Sequence, residues 1–127
     1  MHGTLRIFLC DDNPHYRKLS RVVLEELHEI VGEASDGAEA VALAPAAAPE
    51  VVLLDLKMPG VGGYEALPHL RDVLPAAKII ILTSGRADDE LLRAKAAGAD
   101  GFVSKPRSVF ELPDAMAKAV TSGFDQG

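Results

Sequence analysis

The sequence predicts an α/β domain in which a parallel sheet lies between helices. Aliphatic runs of strand length alternate with segments of helical periodicity, and Gly, Pro, Asn or Asp residues separate them. Most of the aliphatic runs end in polar residues. Because parallel strands joined through helices make right-handed crossovers, this alternation places helices on both faces of the sheet.

The first strand and helix follow from a change in periodicity. Strand β1 (residues 5–10) is an aliphatic run that stops abruptly at Asp11. Asn13 then caps helix α1 (residues 14–27), whose first residue, Pro14, needs no N–H at that position. The apolar residues of α1 recur at helical spacing, so we expect an amphipathic helix.

The next strands include the most apolar segment of the chain. A short β2 (residues 30–34) precedes the small-residue helix α2, which Asp36 caps and which runs through residues 38–42. Strand β3 (residues 51–55) consists of four branched aliphatics and Asp55. A half-exposed strand would alternate apolar and polar residues, so β3 is predicted to be buried on both faces.

The third helix carries a predicted irregularity. Helix α3 (residues 64–74) has apolar residues at helical spacing, but Pro68 lies beyond its first turn. Because proline there removes a backbone hydrogen bond and clashes with the preceding turn, we expect α3 to start late or to be distorted near Pro68.

The remaining segments complete five strand–helix units. An aspartate at position 88 or 89 caps α4, and Gly98 closes it. Ser108 and Glu111 form a capping-box pattern before α5, whose first turns we expect Pro113 to disturb. The elements are β4 (residues 78–82), α4 (91–97), β5 (101–104) and α5 (from 108).

Polar residues stand at the ends of four predicted strands. In a parallel sheet the carboxyl ends of all strands lie at one edge, so these residues are expected to converge. They are Asp11 and Asp12 after β1, Asp55 in β3, Thr83 and Ser84 after β4, and Lys105 after β5. Carboxylates, hydroxyls and an ammonium at one edge indicate a chemical site.

The crowded carboxylates predict a bound cation. They repel one another unless some are protonated or a cation joins them, and oxygen ligands suit a partly hydrated Mg²⁺. With the cation bound, a carboxylate oxygen can attack phosphorus, because the metal and Lys105 neutralise charge on the transferring group. The Thr83 hydroxyl can donate to one of the phosphoryl oxygens.

Composition limits the other classes of function. A chain of 127 residues with 48% hydrophobic content suits one domain, residues 1–127, and is too short for two. Its net charge of −6 argues against binding nucleic acid. No apolar run approaches membrane-spanning length, and a single cysteine without a leader sequence predicts a cytoplasmic protein.

The site residues resemble those of receiver domains of two-component response regulators, over essentially the whole chain. The matching motifs are Asp11-Asp12, Asp55-Leu56-Lys57-Met58-Pro59-Gly60, Thr83 and Lys105-Pro106. The resemblance implies a flavodoxin-like, doubly wound sheet in the order 2-1-3-4-5. It also implies a phosphoacceptor with its own phosphorylation and dephosphorylation chemistry rather than an enzyme.

The resemblance implies an acceptor and a metal site. Asp55 would take a phosphoryl group from a phosphohistidine on a sensor histidine kinase or a phosphotransfer protein. Asp12, Asp55 and the main-chain carbonyl of Lys57 would ligate Mg²⁺ directly, and Asp11 would do so through water.

The same resemblance implies phosphoryl contacts and a switch. Lys105 would pair with the phosphoryl group and precede a cis peptide bond at Pro106, and the main-chain N–H of Ser84 would also bind it. Thr83 and Phe102 match the switch pair, in which the hydroxyl moves toward the phosphoryl group and the ring turns inward. Phe102 stands where many members have Tyr.

Lifetime and output follow from further matches. Lys57 and Gly85 match the positions beside the approach of water to the acyl phosphate, so they would modulate the hydrolysis rate. The α4-β5-α5 face would signal to an output domain, to a protein partner or to a second copy of the chain in a homodimer. The chain end resembles receivers that continue into a helix-turn-helix domain, but this acidic domain is not expected to bind DNA itself.

Two alternatives come from other classes. A haloacid-dehalogenase-like phosphatase also uses an Asp nucleophile, a Thr or Ser, a Lys and Mg²⁺, but it places its nucleophile in an Asp-x-Asp motif after the first strand, which this chain lacks. A pseudo-receiver would serve only for dimerisation, and the complete acidic set argues against it.

Overall fold

Five parallel strands form one sheet in the order β2-β1-β3-β4-β5, which confirms the predicted fold class. The computed structural model describes residues 3–58, 60–84 and 88–124. The strands are Arg6–Cys10, Glu29–Ala34, Val51–Asp55, Lys78–Thr83 and Gly101–Ser104. The helices α1 to α5 are Pro14–Leu24, Gly37–Ala47, Gly63–Val73, Asp88–Ala96 and Leu112–Ser122, and a 3₁₀ turn, Val109–Glu111, precedes α5.

The core consists of two layers, one on each face of the sheet. Val52 and Leu54 belong to the layer under α2, α3 and α4, whereas Val51 and Leu53 belong to the layer under α1 and α5. These four side chains are at most 1% exposed. Successive side chains of β3 therefore point into alternate layers, as expected of a central strand covered on both faces.

The strand register determines which residues meet at the carboxyl edge. Cys10 pairs with Leu54 across β1 and β3, and Asp55 pairs with Leu82 across β3 and β4. The residue after Cys10 is Asp11, so hydrogen bonding of the backbone alone brings Asp11 next to Asp55. None of the helices in the described part of the chain is long and apolar enough to cross a membrane.

Several helix boundaries differ from the prediction, and α2, for example, continues to Ala47 rather than ending near residue 42. Helix α1 ends at Leu24, three residues early, and the N–H groups of Leu27 and His28 both donate to the Leu24 carbonyl. Leu27 is 62% exposed, so no core contact extends the helix that far. Helix α4 already begins at Asp88, and an acidic first turn is favourable at a helix amino end.

The expectation that α3 starts late is wrong. The helix runs from Gly63 to Val73 with Pro68 inside it. Its start is set by packing, because a Cβ on Gly63 would lie 2.5 Å from the Asp55 carbonyl oxygen, which only glycine allows. Burial of Leu67 and Leu70, both 0% exposed, offsets the hydrogen bond that Pro68 cannot make.

Two further proline expectations are corrected. Pro113 lies at the start of α5, where its N–H would have no intrahelical acceptor, so it leaves that helix intact. The irregular turn precedes the helix, where the Ser108 hydroxyl accepts a hydrogen bond from the Phe110 N–H at 3.2 Å. The described residues contain no cis peptide bond, so the bond before Pro106 is trans, the isomer that X–Pro bonds favour by about 0.5–1 kcal/mol.

Two side chains of α3 hold α4 in place. The Tyr64 hydroxyl donates to the Glu90 carbonyl at 2.9 Å, and the Arg93 guanidinium lies 4.3 Å from the centre of the Tyr64 ring. At the other end, Arg71 Nε and Nη2 donate to the Gly98 carbonyl at 3.2 and 3.0 Å. Gly98 has a φ of +116°, as expected for a glycine that closes a helix.

The close approach at Gly63 generates a stability prediction. We expect Gly63→Ala to lower the free energy of unfolding by about 1–3 kcal/mol, because the new methyl group meets backbone atoms that cannot move aside. Gly62→Ser is the matched control, since a Cβ at Gly62 would lie 3.5 Å from its nearest neighbour, the Leu56 carbonyl. Urea unfolding of both variants would measure the difference. Equal stability of the two would show that packing at Gly63 does not set the start of α3.

Candidate functional site

Three carboxylates lie together at the carboxyl edge of the sheet, as predicted. One oxygen from each of Asp11, Asp12 and Asp55 lies within 4.8 Å of the other two. Asp11 and Asp55 are only 3% and 6% exposed, and Asp12 is the more open member. Carboxylate oxygens at this separation are suited to a divalent cation such as Mg²⁺.

Backbone groups hold the two buried carboxylates in place. The Asn13 N–H donates to Asp11 Oδ1 at 2.9 Å, and the Lys57 N–H donates to Asp55 Oδ1 at 3.1 Å. Each bond spans two residues, so the turn that follows each strand fixes the orientation of the carboxylate before it. The second oxygen of each group faces Lys105.

Lys105 bridges the two buried carboxylates. Its Nζ lies 3.3 Å from Asp11 Oδ2 and 3.3 Å from Asp55 Oδ2. Burial would lower the pKa of Lys105, but the charges of Asp55 and Asp11 raise it overall. The ammonium therefore stays charged and neutralises part of the acidic cluster.

Burial is the largest influence on the pKa of Asp55. It raises the pKa of this carboxyl above the ordinary value of 3.8, and the nearby charge of Asp11 raises it further. The Lys57 N–H and the Lys105 charge act in the opposite direction but do not cancel the effect of burial. Burial thus disfavours the charged form of Asp55.

The structure places the predicted switch residues on adjacent strands. Thr83 ends β4 and pairs with Ser104 of β5, and the Thr83 carbonyl accepts from the Lys105 N–H at 2.7 Å. Ser84 follows Thr83 and is exposed. Phe102 of β5 is 4% exposed, and its ring centroid lies 5.8 Å from that of Phe124.

The structure describes one of the two residues predicted to modulate hydrolysis. Lys57 is exposed beside the acidic cluster, and its N–H already binds Asp55. The role of its carbonyl as a metal ligand stays a prediction. Gly85 lies outside the described residues.

Three residues near the site were not among the predicted site residues. Asn13 was predicted only as a helix cap, yet its N–H also binds Asp11. Arg17 Nη1 donates to the Asp11 carbonyl at 2.5 Å and Arg17 Nε pairs with Glu33 at 2.9 Å. Tyr16 lies under Lys105, 4.6 Å from its Nζ to the ring centroid. The available signal was that Tyr16 and Arg17 occupy the first turn of the helix that follows the acidic pair.

Comparisons with known proteins identify the family of this chain. The family model for the response regulator receiver domain matches residues 7–117. The chain is 35% identical over 117 residues to the chemotaxis protein CheY of Halobacterium salinarum, covering 92% of this chain and 98% of that protein. It is 38% identical over 117 residues to the transcriptional regulatory protein LiaR of Bacillus subtilis, covering 91% of this chain and 56% of LiaR.

Solved structures give the same result. A LuxR-family two-component response regulator from Aurantimonas sp. SI85-9A1 superposes with a TM-score of 0.84 at 38% identity, over 96% of this chain and 88% of that one. The receiver domain of the putative response regulator NarL from Mycobacterium tuberculosis gives 0.81 at 29% identity, over 94% and 98%.

The lengths of the relatives differ. The chain spans about half the length of the transcriptional regulators it matches and nearly all of the chemotaxis protein. Neither the family match nor these relatives support the phosphatase alternative. With a family match over most of its length and an acidic cluster at the expected strand ends, this chain belongs to the response regulator receiver domains of two-component systems.

Proposed function

We propose that this receiver domain accepts a phosphoryl group on Asp55 in a Mg²⁺-dependent reaction and signals through a change at its surface. The observation that carries the proposal is the position of Lys105, whose Nζ lies 3.3 Å from both Asp55 and Asp11. An ammonium between two buried carboxylates is placed where it could stabilise the oxygens of a group transferred to either one. We assign Asp55 rather than Asp11 as the acceptor, because Asp55 is the carboxylate that ends the central strand β3.

The acceptor chemistry follows from how Asp55 is held. One of its oxygens attacks phosphorus while the bond from phosphorus to the donor nitrogen breaks, and the electron pair of that bond leaves with the nitrogen. The donor would be a phosphohistidine of a sensor histidine kinase or a phosphotransfer protein. The Lys57 N–H donates to Asp55 Oδ1 at 3.1 Å. This hydrogen bond fixes the side-chain rotamer of Asp55 and keeps the carboxylate oriented for attack.

The donor set fits Mg²⁺. Asp12 and Asp55 would hold the ion with the carbonyl of Lys57, and Asp11 would do so through water. When bound, the ion supplies positive charge to the transferring oxygens and relieves repulsion among the carboxylates. The charge of Lys105, the Thr83 hydroxyl and the Ser84 N–H would complete the binding of the phosphoryl group.

The proposed route from the site to a partner passes through β5. Thr83 lies beside the start of the loop that carries Lys105, and Phe102 lies on β5 against Phe124. Movement of the Thr83 hydroxyl toward a phosphoryl group would alter the space available to the Phe102 ring. The α4-β5-α5 face would then present a different surface, which includes Leu92, 65% exposed.

We infer a signalling role in the cytoplasm rather than catalytic turnover. The relatives include transcriptional regulatory proteins about twice as long as the matched segment and a chemotaxis protein of nearly the same length as it. The output would therefore pass either to a domain in a longer chain or to a separate protein or second copy. The described residues share one sheet with two core layers, which supports a single receiver domain over residues 1–127. Lys57 and Gly85 would tune the hydrolysis rate of the acyl phosphate.

Labelling at Asp55 tests the acceptor assignment. Incubation with acetyl phosphate and Mg²⁺ should add one phosphoryl group to the wild-type chain, and Asp55→Asn should abolish the addition because an amide oxygen is a poor nucleophile. Asp72→Asn, an exposed carboxylate on α3, is the matched control and should label normally. Intact mass spectrometry reads the outcome. A phosphoryl group retained by Asp55→Asn would refute the assignment.

The raised pKa of Asp55 predicts that the Asp55→Asn variant is more stable than wild type at neutral pH but not in acid. A carboxyl whose pKa rises on folding binds its proton more tightly in the folded state, so stability falls as the pH rises from 3.8 through the folded pKa. Without Mg²⁺, Asp55→Asn should therefore be more stable than wild type at neutral pH. The advantage should shrink as the pH is lowered, since wild-type Asp55 then becomes neutral as well. Urea unfolding across this pH range measures it, and a variant that is less stable at neutral pH would contradict it.

Thr83→Ala separates phosphorylation from switching. The variant should still be labelled at Asp55, but amide exchange in β5 and α5 should no longer respond to labelling, because the hydroxyl that would follow the phosphoryl group is gone. Thr121→Ala, an exposed threonine on α5, is the control and should respond as wild type does. If Thr83→Ala shows the wild-type exchange response, the switch does not pass through Thr83.

A further inference from the structure

Lys105 contacts an aromatic ring as well as two carboxylates. Its Nζ lies 4.6 Å from the centre of the Tyr16 ring. An ammonium within about 6 Å of a ring centre is attracted by the negative face of the π-system. The chemistry proposed for the site assigns no task to this ring.

The Tyr16 ring is fixed by the same turn that fixes Asp11. The Tyr16 N–H donates to Asn13 Oδ1 at 3.0 Å, and the Asn13 N–H donates to Asp11 Oδ1 at 2.9 Å. The half-buried ring packs against the core layer under α1 and α5. The same turn therefore fixes the position of the Tyr16 ring relative to Asp11. Lys105, which follows β5, contacts both.

The phenol hydroxyl contributes little to this arrangement. Tyr16 OH is buried and forms no hydrogen bond to Lys105, Asp11 or Asp55. What Tyr16 offers to the site is thus the face of its ring.

We propose that Tyr16 is a positioning residue for Lys105, and that its ring keeps the ammonium in the site while the carboxylates exchange partners. This inference rests on the proposed function. The carboxylates that hold Lys105 in the structure, Asp11 and Asp55, are also the proposed ligands of Mg²⁺ and the acceptor of the phosphoryl group. When they take up those partners, their hold on the ammonium weakens.

A ring meets this need where another carboxylate would not. It attracts the ammonium, but it offers no oxygen to compete for the cation and no negative charge to repel the incoming phosphoryl group. The Lys105 contact with Tyr16 can therefore persist through the reaction. Positioning of this kind raises the rate by limiting the conformations that the lysine samples.

The contact is tested first without any phosphorylation. In the full chain, NMR should show the side-chain methylene protons of Lys105 shifted upfield by the ring current of Tyr16. Tyr16→Phe should retain the shift, and Tyr16→Leu should lose it. Lys105 shifts that are the same in Tyr16→Leu as in wild type would overturn the contact.

The second test is the rate of labelling by acetyl phosphate in Mg²⁺. Tyr16→Phe should label at nearly the wild-type rate, whereas Tyr16→Leu should be about two- to fivefold slower, the range expected for loss of one cation–π contact. The Lys105→Met background decides whether the ring acts through the lysine, since Tyr16→Leu should cause no further loss there. An equal loss in both backgrounds would overturn the proposal.

Two controls keep the outcomes distinct. Urea unfolding identifies a variant that slows labelling by failing to fold, and Tyr16→Met, a residue of similar length, then replaces Tyr16→Leu. If wild type is not labelled at all, the proposed function fails, while the ring-current shift still decides the contact between Tyr16 and Lys105.

Discussion

The burial of two neighbouring carboxylates is the constraint on which the rest of the site depends. Asp11 and Asp55 are almost fully removed from water, and the pairing of β1 with β3 forces them together. Two like charges in this position are tolerated because Lys105 bridges them and backbone N–H groups bind the remaining oxygens. Burial of the apolar side chains of β3 offsets the free-energy cost of burying these carboxylates.

Much of the fold could be predicted because burial on both faces leaves a clear record in the sequence. The aliphatic run of β3 and its abrupt end at Asp55 are typical of a strand covered on both faces, and parallel strands bring their carboxyl ends together. The convergence of Asp11, Asp55 and Lys105 followed from those two facts. The strand order itself came from the resemblance to receiver domains.

The helix boundaries could not be predicted because tertiary packing sets them. The start of α3 depends on the fit of Gly63 against the Asp55 carbonyl, and the end of α1 on the absence of a core contact for Leu27, which is exposed. Pro68 is tolerated because neighbouring side chains are buried. The place of Tyr16 beneath Lys105 joins two distant segments, and an aromatic residue at helical spacing is by itself typical of the core.

The two contacts from α3 to α4 have a mechanical consequence. Tyr64 and Arg71 are separated by about two helical turns, so they grip α4 from one side near its beginning and just beyond its end. The amino end of α3 abuts the backbone of Asp55 at Gly63. Helix α3, 11 residues and about 16 Å long, therefore contacts the backbone beside the acidic cluster at its amino end and contacts α4 near the beginning and just beyond the end of that helix. We therefore expect a displacement of the Asp55 backbone to reach α4 through the packing of Gly63 and the contacts of Tyr64 and Arg71.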